Sequence, residues 1–207
     1  MDHNLCIFSE IRIYNKFVFI FLMSNHMKQS YIVAFWSPLA ASHPHFCLDF
    51  FIPFLQKYGD IQCLDLQSRQ DARTIRLLRQ ANLVIIGLPP IPAAFRRYFC
   101  DNWIPFSNVC YAFLDYLPAL QTDIRRICHT YRLAEPSVMR IPYNIRFREA
   151  VRSGQSHDYL KEELPQYKTT DFHLCIQELT RSGKLILKTL DENLLIRSNG
   201  FKNVHHI

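Results

Sequence analysis

The feature that most constrains the fold is an alternation, repeated along the chain, of a short apolar run with a segment of helical period. The apolar runs are YIVAFW at 31–36, IQCLDL at 61–66, LVIIGL at 83–88, VCYAFL at 109–114 and VMRIP at 138–142. Most of them are apolar on both faces, as strands of a parallel sheet covered on both sides are. The alternation predicts an α/β fold: a doubly wound, mostly parallel sheet of about five strands with flanking helices.

Single residues mark the start or the interior of three helices. Ser68, three residues before Asp71, has the spacing of a capping box at the start of the second helix. Asn144 is placed to cap the helix that follows the fifth strand. Gly183 weakens a long helix over 172–190 but need not break it. These residues predict where the helices lie between the strands.

The chain of 207 residues has room for one core and its flanking pieces. We expect an α/β domain over 27–160, a C-terminal helical segment over 161–198 and a tail over 199–207. Residues 1–26 have the character of an over-extended start, with Met27 as the true initiator. An N-terminal segment that binds a membrane surface or a partner is the alternative interpretation of residues 1–26.

Composition limits the class of protein more loosely. The seven cysteines include no Cys-x-x-Cys pair and lie mostly in apolar runs, which predicts reduced thiols in a cytoplasmic protein. No apolar stretch is long enough to span a bilayer. The formal charge of +6 comes from scattered residues, so nucleic acid or a membrane surface is an alternative partner. The basic residues concerned are Arg125, Arg126, Arg146, Arg148 and Arg152, together with the helix over 171–190.

Ligands of doubly wound sheets collect at the carboxyl ends of the strands. Asp65 and Asp115 lie near the ends of the second and fourth strands, so they are the carboxylates best placed to meet a ligand. Each is equally suited to cap the next helix, because a short acidic side chain after a strand often does so. Both interpretations stay open from the sequence.

The loop after the first strand has the position of a phosphate loop but not its composition. A phosphate loop needs glycines, whose backbone lets amides converge on oxygen atoms, and usually a lysine. Residues 1–58 contain no glycine, and no lysine or arginine lies between 37 and 51. The loop therefore lacks both the backbone freedom and the cation.

A metal site in the same loop is the competing hypothesis. His43, His45 and Cys47 form a His-x-His-x-Cys run that would supply three ligands only in an extended segment. Pro44 and the apolar residues after it indicate the start of a helix. We therefore favour a loop leading into a helix and expect no metal. Because no nucleophile motif such as Gly-x-Ser-x-Gly occurs, we also expect no catalytic residue.

The stretch IPYNIRFREAVRSGQSHDYL, at 141–160, resembles the closing strand, loop and helix of ParA/MinD-type partition ATPases, which belong to the SIMIBI P-loop NTPases. In that family the last core strand runs into an I-P-x-D/N loop and a helix with an Ala and a Gly at this spacing. The stretches at 77–99 and 109–133 resemble the elements that precede it. Pilus-assembly ATPases of the TadZ type are a neighbouring branch. The resemblance covers residues 31–160.

The resemblance implies a nucleotide site of which one side is kept. The residues matching the base side of that site are Pro142, Tyr143 and Asn144. The residues at the degenerate phosphate-loop position are Ser37, Pro38 and Ser42. In the family this position holds a deviant Walker A motif with two lysines, and neither has a counterpart here. The region that supplies the family's acid for magnesium and water is shortened.

The resemblance therefore implies a degenerate ParA/MinD-like pseudo-ATPase that docks on a protein partner or dimerises, in partition, positioning or pilus assembly. Loop amides, lysine and Mg²⁺ supply most of the catalysis of phosphoryl transfer. Because these elements are missing, we expect no ATPase activity, no cofactor and at most weak binding of ATP and Mg²⁺. The alternatives are an active ATPase completed by a partner's lysine, a DNA- or membrane-associating protein, and the remnant of a disrupted gene.

Overall fold

Strands and helices alternate through the part of the chain that the structure, a computed structural model, describes: residues 30–39, 47–101, 108–163 and 172–202. The elements are β1 (Tyr31–Trp36), α1 (Leu48–Gln56), β2 (Ile61–Gln67), α2 (Ala72–Gln80), β3 (Leu83–Leu88), α3 (Pro92–Asp101), β4 (Val109–Tyr116), α4 (Gln121–Thr130), β5 (Met139–Pro142), α5 (Ile145–Arg152), α6 (Ser156–Glu163) and α7 (Phe172–Lys202). Residues 1–26 and the proposed initiator Met27 lie outside these ranges.

The five strands form one parallel sheet in the order β2-β1-β3-β4-β5. The predicted α/β class and doubly wound sheet are thus confirmed, and the architecture is compatible with a Rossmann-like or P-loop-like frame. This order is one of the two common ones for doubly wound sheets, and its topological switch point lies between β1 and β3. All six residues of β3 are buried, as expected for a central strand with helices on both faces.

The helices form two layers, because successive side chains of each strand point to opposite faces of the sheet. Phe35 belongs to the core shared with α1, α5, α6 and α7, whereas Trp36 belongs to the core shared with α2, α3 and α4. Both side chains are almost completely buried. Each face of the sheet therefore has its own hydrophobic core.

Helix α7 covers the outer edge of β5. The Ser182 hydroxyl is fully buried, accepts a hydrogen bond from the Arg140 N–H at 3.1 Å and donates one to the Arg140 carbonyl at 3.1 Å. The Arg181 guanidinium donates to the Val138 carbonyl at 3.3 Å. These bonds satisfy main-chain groups that an edge strand would otherwise present to solvent. The helix continues through Gly183, as the sequence predicts.

The helix caps agree with the sequence at one site and differ at another. The Asn144 side chain accepts from the Phe147 N–H at 2.8 Å, so the predicted cap of α5 is confirmed. The capping box at Ser68 is wrong, because α2 begins after Asp71, whose carboxylate accepts from the Thr74 N–H at 2.7 Å. The backbone at Asp71 is extended, which places the side-chain oxygen of Asp71 over the first turn of α2.

Candidate functional site

The carboxyl edge of the sheet, the end at which its parallel strands terminate, carries one backbone irregularity on each side of the switch point. The pairing of β1 with β2 shifts register near its end, and so does the pairing of β4 with β5. Gln67 and Asp115 adopt left-handed φ angles of 51° and 56° at these places. Such backbone costs of order 1–3 kcal/mol for residues other than glycine, and it concentrates at functional sites. The carboxyl edge is therefore the candidate site.

Ser37 and Pro38 begin the loop after β1, and their polar groups are used within the protein. The Ser37 N–H donates to the Gln67 carbonyl at 2.8 Å, and the buried Ser37 hydroxyl lies 3.4 Å from the Leu39 carbonyl. The Pro38 carbonyl accepts from the Gln70 amide at 2.5 Å. The start of the loop is thus hydrogen-bonded to the end of β2 and to the connection between β2 and α2. Both donors of Ser37, its N–H and its hydroxyl, are directed at carbonyl groups of the protein.

The remaining members of the loop are described only in part. Ser42, His43 and His45 lie outside the described residues. Cys47 lies at the N-terminal end of α1, where it is buried with a left-handed φ of 54°. Burial raises the pKa of its thiol well above the usual value, which disfavours the thiolate that binds metals. Across the described ranges, no three His, Cys, Asp or Glu side chains come together as a metal site.

The two candidate carboxylates are far apart and differ in their surroundings. Asp65 is exposed and accepts a hydrogen bond from the Gln67 N–H at 3.0 Å. Asp115 lies 3.6 Å from the Arg148 guanidinium. Because β1 and β3 separate their strands, the two lie about 14 Å apart, three strand spacings. The structure does not bring Asp65 and Asp115 together, and neither of them is the cap residue of the next helix.

Residues 142–144 lie beside Asp115 at the ends of β4 and β5. The Tyr143 N–H donates to the Tyr116 carbonyl at 2.9 Å, and the Arg148 guanidinium lies 5.4 Å from the centre of the Tyr143 ring. Pro142 is half-buried in β5, and the Asn144 oxygen is engaged in the α5 cap. Asp115, Arg148 and Tyr143 therefore form one connected group, two to three strand spacings from Ser37, because β1 lies two strands from β4 and three from β5.

Exposed apolar side chains at the same edge are the feature that sequence reasoning missed. The large hydrophobic residues found exposed in the described ranges are Ile91 (54%), Leu117 (42%), Tyr143 (38%), Ile145 (57%) and Leu174 (61%). The first four lie just after β3, β4 and β5, and the fifth lies in α7. A signal exists in the sequence, since each of these three strands is followed within three residues by an apolar side chain.

The basic residues proposed for DNA or membrane contact do not share a surface. Arg125 and Arg126 lie on α4, whereas Arg146, Arg148 and Arg152 lie on α5, on the opposite face of the sheet. Arg125 and Arg126 also lie 3.9 Å from the carboxylates of neighbouring residues. Of the helices in the described ranges, none is long and apolar enough to cross a membrane.

These features define an α/β protein with a doubly wound parallel sheet and a candidate site at its carboxyl edge. Comparison with protein-family models finds no match, and comparison with curated proteins finds none either. Function is therefore inferred from the geometry of the edge together with the sequence resemblance.

Proposed function

We propose that this chain is a non-hydrolysing, ParA/MinD-like docking module that pairs with a second copy of itself through the carboxyl edge of its sheet. The observation that carries the proposal is the gathering of exposed apolar side chains at this edge: Ile91, Leu117, Tyr143 and Ile145. The setting implied by the resemblance is partition, positioning or pilus assembly. The same resemblance, combined with the composition of the Ser37 loop, favours docking over phosphoryl transfer.

Burial of the apolar edge would supply the driving force for association. A large apolar side chain contributes about 1.5–3 kcal/mol when it moves from water into an apolar contact. Single exposed apolar residues are common on protein surfaces, but a contiguous group marks an interface. Three consecutive strand ends contribute to this group, so its members lie in neighbouring loops rather than scattered over the surface.

The edge is suited to self-association because its chemistry is self-complementary. A twofold interface uses the same patch on both copies, so each patch must match itself. Apolar side chains do so, and the Asp115–Arg148 pair beside them offers both signs of charge. In a twofold arrangement Asp115 of one copy can face Arg148 of the other. A patch of one sign would repel its own copy instead.

Nucleotide binding is less well supported by the same edge. A phosphate group needs amide donors and a cation directed at it. The Ser37 N–H is already bonded within the protein, and the Arg148 guanidinium contacts Asp115 and Tyr143. Arg148, the cation beside the residues that match the base side of the family's site, is thus already paired with Asp115.

Sedimentation equilibrium of the wild-type protein and the Ile145→Glu variant tests the dimer. We expect a concentration-dependent dimer for the wild type and a monomer for the variant. Ile145 is the first residue of α5, where a glutamate interacts favourably with the helix dipole, so the fold should survive. Leu174→Glu is the matched control, because Leu174 is equally exposed in the first turn of α7 and is not one of the four apolar residues that follow the strand ends.

The outcomes separate docking by this edge from other behaviour. A wild-type protein that stays monomeric at about 100 μM would contradict self-association, since the Kd of a stable dimer is well below that concentration. Equal dimerisation of wild type and Ile145→Glu would place the interface elsewhere. Calorimetric titration of ATP with Mg²⁺ is the companion test: micromolar binding, or turnover above buffer, would refute the pseudo-ATPase.

A further inference from the structure

The charges of the two helical layers differ in kind. The chain contains no lysine between Lys57 and Lys161, so every basic charge on α2, α3 and α4 comes from arginine or histidine. Arginines at 73, 76 and 79 lie on α2, and those at 96 and 97 lie on α3. Both helices pack on the same face of the sheet. Sequence reasoning had weighted other arginines, because it could not tell which helices share a face.

The arginines of α2 form a stripe on its outer side. Thr74 and Leu78 are buried against the sheet, whereas Arg73, Arg76 and Arg79 are exposed. Residues spaced by three recur on one side of a helix, about 4.5 Å apart along its axis. The stripe is therefore about 9 Å long and carries three guanidinium groups. Apart from the cap residue Asp71, α2 and its first turn offer no acidic side chain to offset them.

The stripe lacks the ion pairs that the arginines of α4 make. On α4, Arg125 lies 3.9 Å from Glu135 and Arg126 lies 3.9 Å from Asp123. Within the part of the chain that the structure describes, no carboxylate pairs with the α2 arginines or with Arg96 on α3. Like charges placed this close destabilise the protein slightly unless a partner compensates them. We name Arg73, Arg76 and Arg79 the arginine patch.

We propose that the arginine patch is a second docking surface, which binds a short acidic segment of a partner protein. A guanidinium group binds a carboxylate through two parallel hydrogen bonds, and it is the preferred cation for such recognition. In an extended segment, alternate side chains lie about 7 Å apart on one side. Two or three glutamates or aspartates at alternate positions therefore span the stripe.

The size and surroundings of the patch favour an acidic segment over other anionic partners. A protein that binds duplex nucleic acid commonly contacts six to ten phosphates, more than three guanidinium groups can serve. The Asp71 carboxylate, which caps α2 two residues before Arg73, would repel a longer phosphate chain. A membrane surface needs exposed apolar side chains beside the charges, and those in the described ranges lie at the carboxyl edge and on α7.

Fluorescence anisotropy with a labelled peptide of alternating Glu and Ser tests the proposal. The triple variant Arg73→Gln/Arg76→Gln/Arg79→Gln should weaken binding at least about tenfold, since each exposed ion pair contributes roughly a factor of two to five. The matched control is Arg125→Gln/Arg126→Gln/Arg132→Gln, which removes the same charge from α4 and its end. We expect the control to change the affinity less than about threefold.

Three further arms make the outcome decisive. A Gln-Ser peptide should not bind, and a Lys-Ser peptide should bind the charge-reversed variant Arg73→Glu/Arg76→Glu/Arg79→Glu. Equal losses in the two Gln triples would overturn the proposal, because net charge alone would then explain binding. Tighter binding of short duplex DNA than of the Glu-Ser peptide would also overturn it, in favour of nucleic acid. Because none of these arginines is among the apolar residues proposed to form the dimer contact, dimerisation should be the same in both Gln triples.

Discussion

Gly183 lies where α7 packs against Phe54 of α1, and replacing it by alanine gives a prediction whose sign depends on that contact. A Cβ atom at Gly183 would lie 2.5 Å from Cε1 and 2.7 Å from Cδ1 of Phe54. Both distances are shorter than van der Waals contact allows, so either the ring or the helix has to move. Phe54 is 5% exposed, and the centre of its ring lies 5.7 Å from that of Phe50 and 5.6 Å from that of Tyr58. The ring therefore has little room to move.

Two opposing contributions set the magnitude. Alanine is favoured over glycine in a helix interior by about 1 kcal/mol. Overpacking a well-filled core costs about 1–3 kcal/mol. We expect the second to exceed the first, so that Gly183→Ala lowers the free energy of unfolding by about 1 kcal/mol. For a chain of this length, that loss corresponds to a fall in Tm of about 2–4 °C.

Urea unfolding of a double-mutant cycle with Phe54→Leu isolates the contact. Leucine lacks Cε1 and Cζ, and its Cδ methyl groups can rotate away from the new Cβ, so in that background Gly183→Ala should be neutral or stabilising by up to about 1 kcal/mol. The difference between the two backgrounds is the energy of the close approach. If Gly183→Ala stabilises the wild-type protein, or has the same effect in both backgrounds, the inferred close packing of α7 on α1 is refuted.

Two further predictions concern single hydrogen bonds. Ser182→Ala leaves both main-chain groups of Arg140 without a partner, so it should lower the free energy of unfolding in urea by about 1–3 kcal/mol. Ser153→Ala, at an exposed site, is the control and should change it little. Similar effects of the two substitutions would contradict the proposal that α7 covers β5. The hydrogen bond from the Thr74 N–H lowers the pKa of Asp71, so its stabilisation is present at neutral pH and lost as pH falls through that lowered pKa. Asp71→Asn keeps the acceptor but cannot be protonated, so its urea midpoint should fall less on acidification than that of the wild type; identical pH profiles would refute the cap.

The strands could be predicted because their pattern is local. β1 and β3 have the bounds that their apolar runs indicate, whereas β2 and β4 extend one and two residues further. The extra residues include Gln67 and Asp115, where the left-handed backbone appears. Nothing in the apolar pattern reports such a conformation, because it depends on how neighbouring strands end together.

The candidate site could be predicted only in position. That ligands collect at the carboxyl edge follows from the alternation of strands and helices, and the edge does carry the strained backbone. The use of Ser37 within the protein depends on the pairing of β1 with β2, which no local pattern reports. The same is true of the arginines, because sorting α4 and α5 onto opposite faces requires the strand order. Ser68 and Asp71 are both suitable caps for α2, and the turn that follows Gln67 determines that the helix begins after Asp71.

The bonds between Ser182 and Arg140 join residues 42 positions apart. During synthesis at roughly 5–20 residues per second, the partner of β5 follows it by about 2–8 s. Through that interval the nascent sheet has an uncovered strand, and neighbouring nascent chains can pair with it. The arrival of α7 thus ends the period in which two copies can join in the wrong way.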